Sequence, residues 1–185
     1  MARNWKNIYV EGAVHHVTGT VNQWLPVLLY TEITEIFYNE LSLKMEIWQV
    51  KLIGYVIMPE HFHVLVQTDK GTNIEKFIHG LRRAISGRAR FVIEHDNNFL
   101  QYCQSNNINR SLLFSNTASK SQFRFWKEKP RVFPLDREKD IVRMLTYIHN
   151  NPYRRGLVQN LEDWGHSSYR YYEYGEKGRV KVGIE

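Results

Sequence analysis

Two pairs of residues in this chain have types and spacing suited to chemistry. His61 and His63 stand one residue apart at the start of an apolar run, and Tyr147 and Asn151 stand four apart near the end of another. Side chains alternate between faces of a strand, so His61, His63, Leu65 and Gln67 look one way and Phe62, Val64 and Val66 the other. Two imidazoles on one face suit a divalent ion, and they also suit an ordinary hydrogen-bonded pair at a strand mouth. At about 100° per residue, Tyr147 and Asn151 share one flank of a helix. Pro152 disfavours helical geometry at Asn151, so the helix should end there with the amide at its terminus. Read blandly, Tyr147 is a half-buried flank aromatic and Asn150-Asn151-Pro152 is stop chemistry. Brought together, two imidazoles and an amide oxygen make three ligands for a divalent metal and leave positions open for a phosphodiester oxygen. A phenol beside that phosphate is a nucleophile, although its ordinary pKa near 10 calls for help from a metal, a base or a cationic surround.

The elements that must position these residues follow from hydrophobic periodicity. His15 to Val21 is rich in β-branched residues and reads as a first strand. From about Leu28 to Met45, Leu29, Ile33, Ile36, Phe37 and Leu41 recur at helical spacing. Ile47 to Ile57 is apolar on both faces and is expected as a central strand covered on both sides. Met58, Pro59 and Glu60 turn it into the His-Phe-His strand, which implies an antiparallel hairpin. Asn73 caps a second helix with Ile74, Phe77, Ile78, Leu81, Ile85 and Val92 on one face, and Gly87 predicts a kink or an early end. Residues 96–121, dominated by Asn, Gln and Ser, read as a long surface loop. After Asp136 a helix carries Ile141, Met144, Leu145 and Ile148 at i, i+3, i+4, i+7, the stripe of a helix packed on a sheet.

Composition narrows the class. The chain has 185 residues, 43% of them apolar and 14% aromatic, enough for one globular domain over residues 1–185. A lone Cys103 forms no internal disulfide, no apolar run reaches a membrane span, and the N-terminus lacks a secretory pattern, so the expected compartment is the cytoplasm. The formal charge of +6 points to a polyanionic partner, nucleic acid ahead of an anionic membrane surface. Lys76, Arg83 and Arg90 fall on the helix face opposite the apolar stripe, either solvated or tracking phosphates. Trp126 and Lys127, in an aromatic and basic stretch, suit stacking on unpaired bases as well as a core edge. Arg154 and Arg155 follow the tyrosine helix as phosphate contacts or solvated cations. His15, His16 and Glu60 stand as bystanders or supports, and His149 competes with Asn151 as a ligand although its helical position points it away from Tyr147.

Residues 55–66 (YVIMPEHFHVLV) and 147–158 (YIHNNPYRRGLV) resemble the HUH single-tyrosine transposases, most closely the REP-associated tyrosine transposases. Residues 164–169 (WGHSSY) are similar to the tryptophan-serine-serine stretch after the tyrosine helix, and the likeness spans about residues 8–172. The resemblance implies an α+β fold, a ferredoxin-like or RNA-recognition-motif-like antiparallel sheet of four or five strands with helices packed on it. It implies His61, His63 and Asn151 as ligands of Mg²⁺ or Mn²⁺ and Tyr147 as the nucleophile. The implied activity is cleavage and rejoining of single-stranded DNA at hairpins through a 5′-phosphotyrosine, by a monomer or a homodimer. The alternative is a domesticated, noncatalytic protein of the same fold that binds a DNA or RNA hairpin. The 96–121 loop matches no motif of the family, and the tail, residues 173–185, is expected to be partly disordered after Gly175.

Overall fold

A computed structural model describes residues 6–69, 71–117, 120–127 and 129–183. Strands β1 (Val14–Thr20), β2 (Val50–Ile57), β3 (His61–Thr68) and β6 (Arg131–Leu135) form an antiparallel sheet in the order β2-β3-β1-β6. A separate ribbon joins β4 (Phe114–Thr117) to β5 (Lys120–Phe123). The helices are α1 (Thr31–Trp48), α2 (Ile74–His95), α3 (Asn97–Ser105), α4 (Glu138–His149), α5 (Asn151–Arg154) and α6 (Tyr169–Tyr174).

Alternation along β3 divides the interior. Phe62, Val64 and Val66 join the core beneath α1 and α2, built on Ile33, Phe37, Leu41, Phe77, Leu81, Ile85 and Ile93. Leu65, on the histidine face, joins a second core with Ile53, Val56 and Ile148, against which Ile141, Met144 and Leu145 pack. The α4 stripe thus lies on the sheet as its spacing predicts. Gly54 permits that approach, since a Cβ there would meet Leu145 Cδ2 at 2.3 Å.

Several expectations are corrected. Helix α1 continues through Trp48 and stops where Gln49 turns left-handed (φ 49°), so the following strand begins at Val50 and not at Ile47. β2 is an edge strand, not a central one. Its apolar character on both faces follows from the two cores, with Leu52, Tyr55 and Ile57 in the first and Ile53 and Val56 in the second, while the C-terminal segment covers its outer edge: Ser168 N donates to Tyr55 O at 3.0 Å, Ile57 N to His166 O at 2.8 Å and Gly183 N to Leu52 O at 3.1 Å. The tail expected to be partly disordered carries Val180 and Val182 into the first core. Gly87 neither kinks nor ends α2, because Leu81, Ile85, Ala89 and Ile93 on both sides of it are buried, and tertiary packing outweighs a weak propensity. Asn73 does cap that helix, its Oδ1 accepting from Lys76 N at 3.0 Å. Within the expected 96–121 loop, Asn97–Ser105 is helical, with Asp96 accepting from Asn98 N and Phe99 and Cys103 buried.

Candidate active site

Both histidines open β3, opposite β1: His61 faces Thr20 and His63 faces Thr18. Their rings lie edge to face with centroids 4.9 Å apart. His61 Nδ1 donates to Glu60 Oε1 at 2.9 Å, and the same oxygen accepts from Arg155. Burial by itself would raise the Glu60 carboxyl, but the hydrogen bonds from His61 and Arg155 bring it down to about 2. His63 Nδ1 lies 2.9 Å from His16 Nε2 and 2.9 Å from Thr18 Oγ1. Burial, reinforced by His16 and His61, holds His63 well below the ordinary imidazole range, and burial alone lowers His16 to about 4. Both are neutral at pH 7. With Nδ1 engaged on both His61 and His63, Nε2 is the nitrogen each ring keeps for a further partner.

Helix α4 brings Tyr147 to this pair. Its ring meets His63 edge to face with centroids 5.9 Å apart, and it remains 40% exposed. The Arg154 guanidinium lies over the same ring, 5.9 Å from its centre, a cation beside any charge that develops on the phenol oxygen. Asn151 is half-buried at the start of α5, and its Nδ2 donates to Tyr147 O at 3.0 Å, which keeps its Oδ1 as an acceptor for another group. Among the described residues no hydrogen bond joins that amide to either imidazole, and no group of three or more His, Cys, Asp or Glu is arranged to hold a metal. Two imidazole nitrogens and an amide oxygen are donors of a kind that would suit a divalent first-row ion. His149 does not compete, since it is buried with Nε2 2.8 Å from Ser168 Oγ.

The expected nucleic-acid contacts divide. Lys76, Arg83 and Arg90 are exposed on α2 as their spacing predicts, but α2 covers the sheet face opposite the histidines. Trp126 is corrected: it is 7% exposed, packs on Phe62 and Phe125, and donates Nε1 to Arg82 O at 2.8 Å, so its ring belongs to the core. Lys127 stays exposed, with Nζ 5.3 Å from the ring centre of Trp24. Arg155 is committed to Glu60, tying the segment after the tyrosine helix to the turn that carries His61. Trp24 itself, edge-on to His61 at 6.2 Å, has no signature in the sequence beyond lying just before Pro26.

Residues 11–101 match the profile of the transposases described as IS200-like. That match spans just under half of the chain and makes it similar to the IS200-like transposases. A curated protein of Haemophilus influenzae, provisionally assigned as a REP-associated tyrosine transposase, is 24% identical over 166 residues, covering 90% of this chain and 85% of the relative. A solved structure of a REP-associated tyrosine transposase bound to a REP hairpin superposes with a TM-score of 0.62 at 14% identity, covering 98% of this chain and 92% of that one. The chain thus shares the fold of that structure, and the histidine strand lies inside the matched profile whereas Tyr147 lies beyond it. No described helix of the chain is long and apolar enough to cross a membrane.

Proposed function

We propose that this chain is a metal-dependent transposase of single-stranded DNA that cuts and rejoins hairpin-flanked strands through a covalent bond to Tyr147. The observation that carries the reading is the contact of Tyr147 with His63 in the same chain, beside two histidines whose Nδ1 atoms are already engaged. The hairpin substrate is taken from the relative solved with a REP hairpin. His61 Nε2, His63 Nε2 and Asn151 Oδ1 are the atoms proposed to hold Mg²⁺ or Mn²⁺, which when bound supplies Lewis-acid polarisation of the scissile phosphate.

The side chains divide the work. Tyr147 Oη attacks phosphorus as its proton leaves to water, the P–O3′ bond breaks, and the departing 3′-oxygen takes up a proton. The product is a 5′-phosphotyrosine and a free 3′-hydroxyl. A 3′-hydroxyl of another strand end then attacks the phosphotyrosine and restores the phenol, so strand transfer needs no outside energy. Arg154 stabilises charge at the phenol oxygen, and Glu60 and His16 hold the two imidazoles in orientation.

The test is incubation with labelled single-stranded hairpins from the DNA flanking the gene, in Mn²⁺ or in chelator, resolved on a denaturing protein gel. A metal-dependent adduct in wild type that disappears in Tyr147→Phe is expected. An adduct that persists in Tyr147→Phe removes the nucleophile from this assignment, and hairpin binding without any adduct points to the noncatalytic alternative.

A further inference from the structure

Trp24 is an exposed aromatic that the proposed chemistry leaves unused. It is 55% exposed, and its backbone is left-handed (φ 58°), directly after Gln23, which is left-handed as well (φ 54°). Two consecutive non-glycine residues in that region are costly, and a bulky one that buries little of itself recovers little of the cost through packing. The turn is nevertheless pinned on both sides. Val21 N donates to Glu60 O at 2.9 Å, Asn22 N to Phe125 O at 2.8 Å, and Lys127 N to Thr20 O at 2.8 Å. Those bonds fix the indole between His61, edge-on at 6.2 Å, and Lys127, whose ammonium sits 5.3 Å from the ring centre.

The surface continues past Lys127. Arg82 donates to Lys127 O at 2.7 Å, and beyond it lies a groove of about 570 Å³ lined by His79, Arg82, Arg83, Phe123 and Arg124. Among the described lining residues there is no carboxylate. A rigid aromatic face followed by a run of cations matches an unpaired strand, whose bases have π-faces and whose backbone is anionic. Neither feature fits a protein partner of mixed charge as well.

We propose that Trp24 is a stacking platform for the unpaired base next to the scissile phosphate, with Lys127 on the adjoining phosphate and the strand continuing into the groove past Arg83 and Arg124. This places the cut relative to Trp24 and so rests on the function proposed above. The binding surface itself does not depend on Tyr147 acting as a nucleophile.

The experiment uses the full chain in chelator, where no cleavage proceeds, and two labelled probes of equal length: oligothymidylate of about ten nucleotides and the same backbone with abasic residues. Equal phosphate charge makes their affinity ratio a measure of stacking. Wild type is expected to prefer the thymidylate strand by about tenfold. Trp24→Phe keeps most of that preference, and Trp24→Gly loses it and binds both strands as wild type binds the abasic one. Glycine also relieves the left-handed backbone, so Trp24→Gly should melt no lower than wild type, which separates loss of the platform from loss of the fold. Lys127→Gln should weaken both probes equally and reduce the salt slope by about 0.7. A Trp24→Gly protein that retains the wild-type preference, or a wild type with no preference, overturns the platform. If the preference depends on Trp24 while no Tyr147 adduct forms on hairpins, the platform stands and the catalytic reading fails; an adduct with no role for Trp24 gives the converse.

Discussion

His63 is the residue on which most contacts converge, and its neighbours determine what it can offer. If its Nδ1–H is donated, His16 Nε2 and Thr18 Oγ1 are the acceptors within reach, and the lone pair then lies on Nε2. His16 is 4% exposed and its own Nδ1 is buried without a partner, a cost tolerated beside this contact and a T-shaped approach to Phe133. Replacing His16 by Leu should therefore lower Mn²⁺ affinity at least tenfold, with Thr18→Val milder, read by calorimetric titration of the metal alone. Unchanged affinity in His16→Leu would mean that Thr18 alone orients the ring. Period-two alternation was enough to read that His61 and His63 share a face. It could not reveal His16 as the partner of His63, because that depends on strand pairing between residues 47 apart. Trp126 was legible as an aromatic among cations but not as buried, since depth is set by Phe62 and Phe125 and not by its neighbours in sequence.

Helix α4 is the element that joins the halves of the site, and its seating rests on one missing side chain. Gly54, beside a register shift in β2, gives Leu145 room to reach the sheet. Gly54→Ala would force its Cβ against Leu145 Cδ2 and should cost about 1–3 kcal/mol, as overpacking does. Gly87→Ala should act in the opposite sense. A Cβ there meets nothing within 4 Å, the helix is continuous, and alanine is favoured over glycine by about 1 kcal/mol. Denaturant unfolding of both variants checks the pair, and a destabilised Gly87→Ala would mean that α2 is broken at Gly87 after all. Glycine in a sequence marks a weak helix or a close approach without saying which; here Gly87 is neither, while Gly54 inside an apolar strand is a close approach. The helix at Asn97–Ser105 was hidden for a related reason, as Asn, Gln and Ser outnumber the two residues, Phe99 and Cys103, that bury it.

Across the whole molecule, the order of strand, helix, hairpin, helix, strand and helix was legible because each buried face imposes its own period. The C-terminal cover on β2 was not, since a strand edge leaves no trace in composition. One consequence of that cover and of the site together concerns pH. His16 in the site and His149 against Ser168, under the C-terminal segment, are both lowered to about 4 by burial, and His63 lies well below its ordinary value. A depressed histidine is neutral in the fold while the unfolded chain takes up a proton near pH 6.5, so unfolding is favoured as pH falls through the window from about 6.5 to 4. Above that window the stability is fully present. Glu60 has the reverse relation to its partners but a different window: held at about 2 in the fold, its contribution is constant above its ordinary value and is lost only in stronger acid. Between pH 6.5 and 5 the buried histidines alone should therefore set the slope, with a loss on the order of 2 kcal/mol for each of His16 and His149 by pH 5. Denaturant unfolding in chelator at pH 7.5, 6 and 5 measures it, and His149→Gln should flatten the dependence by one proton. A profile flat from pH 7.5 to 5 would mean that these imidazoles carry their protons inside the fold, and the neutral His16 to His63 contact would have to be rebuilt as a charged one.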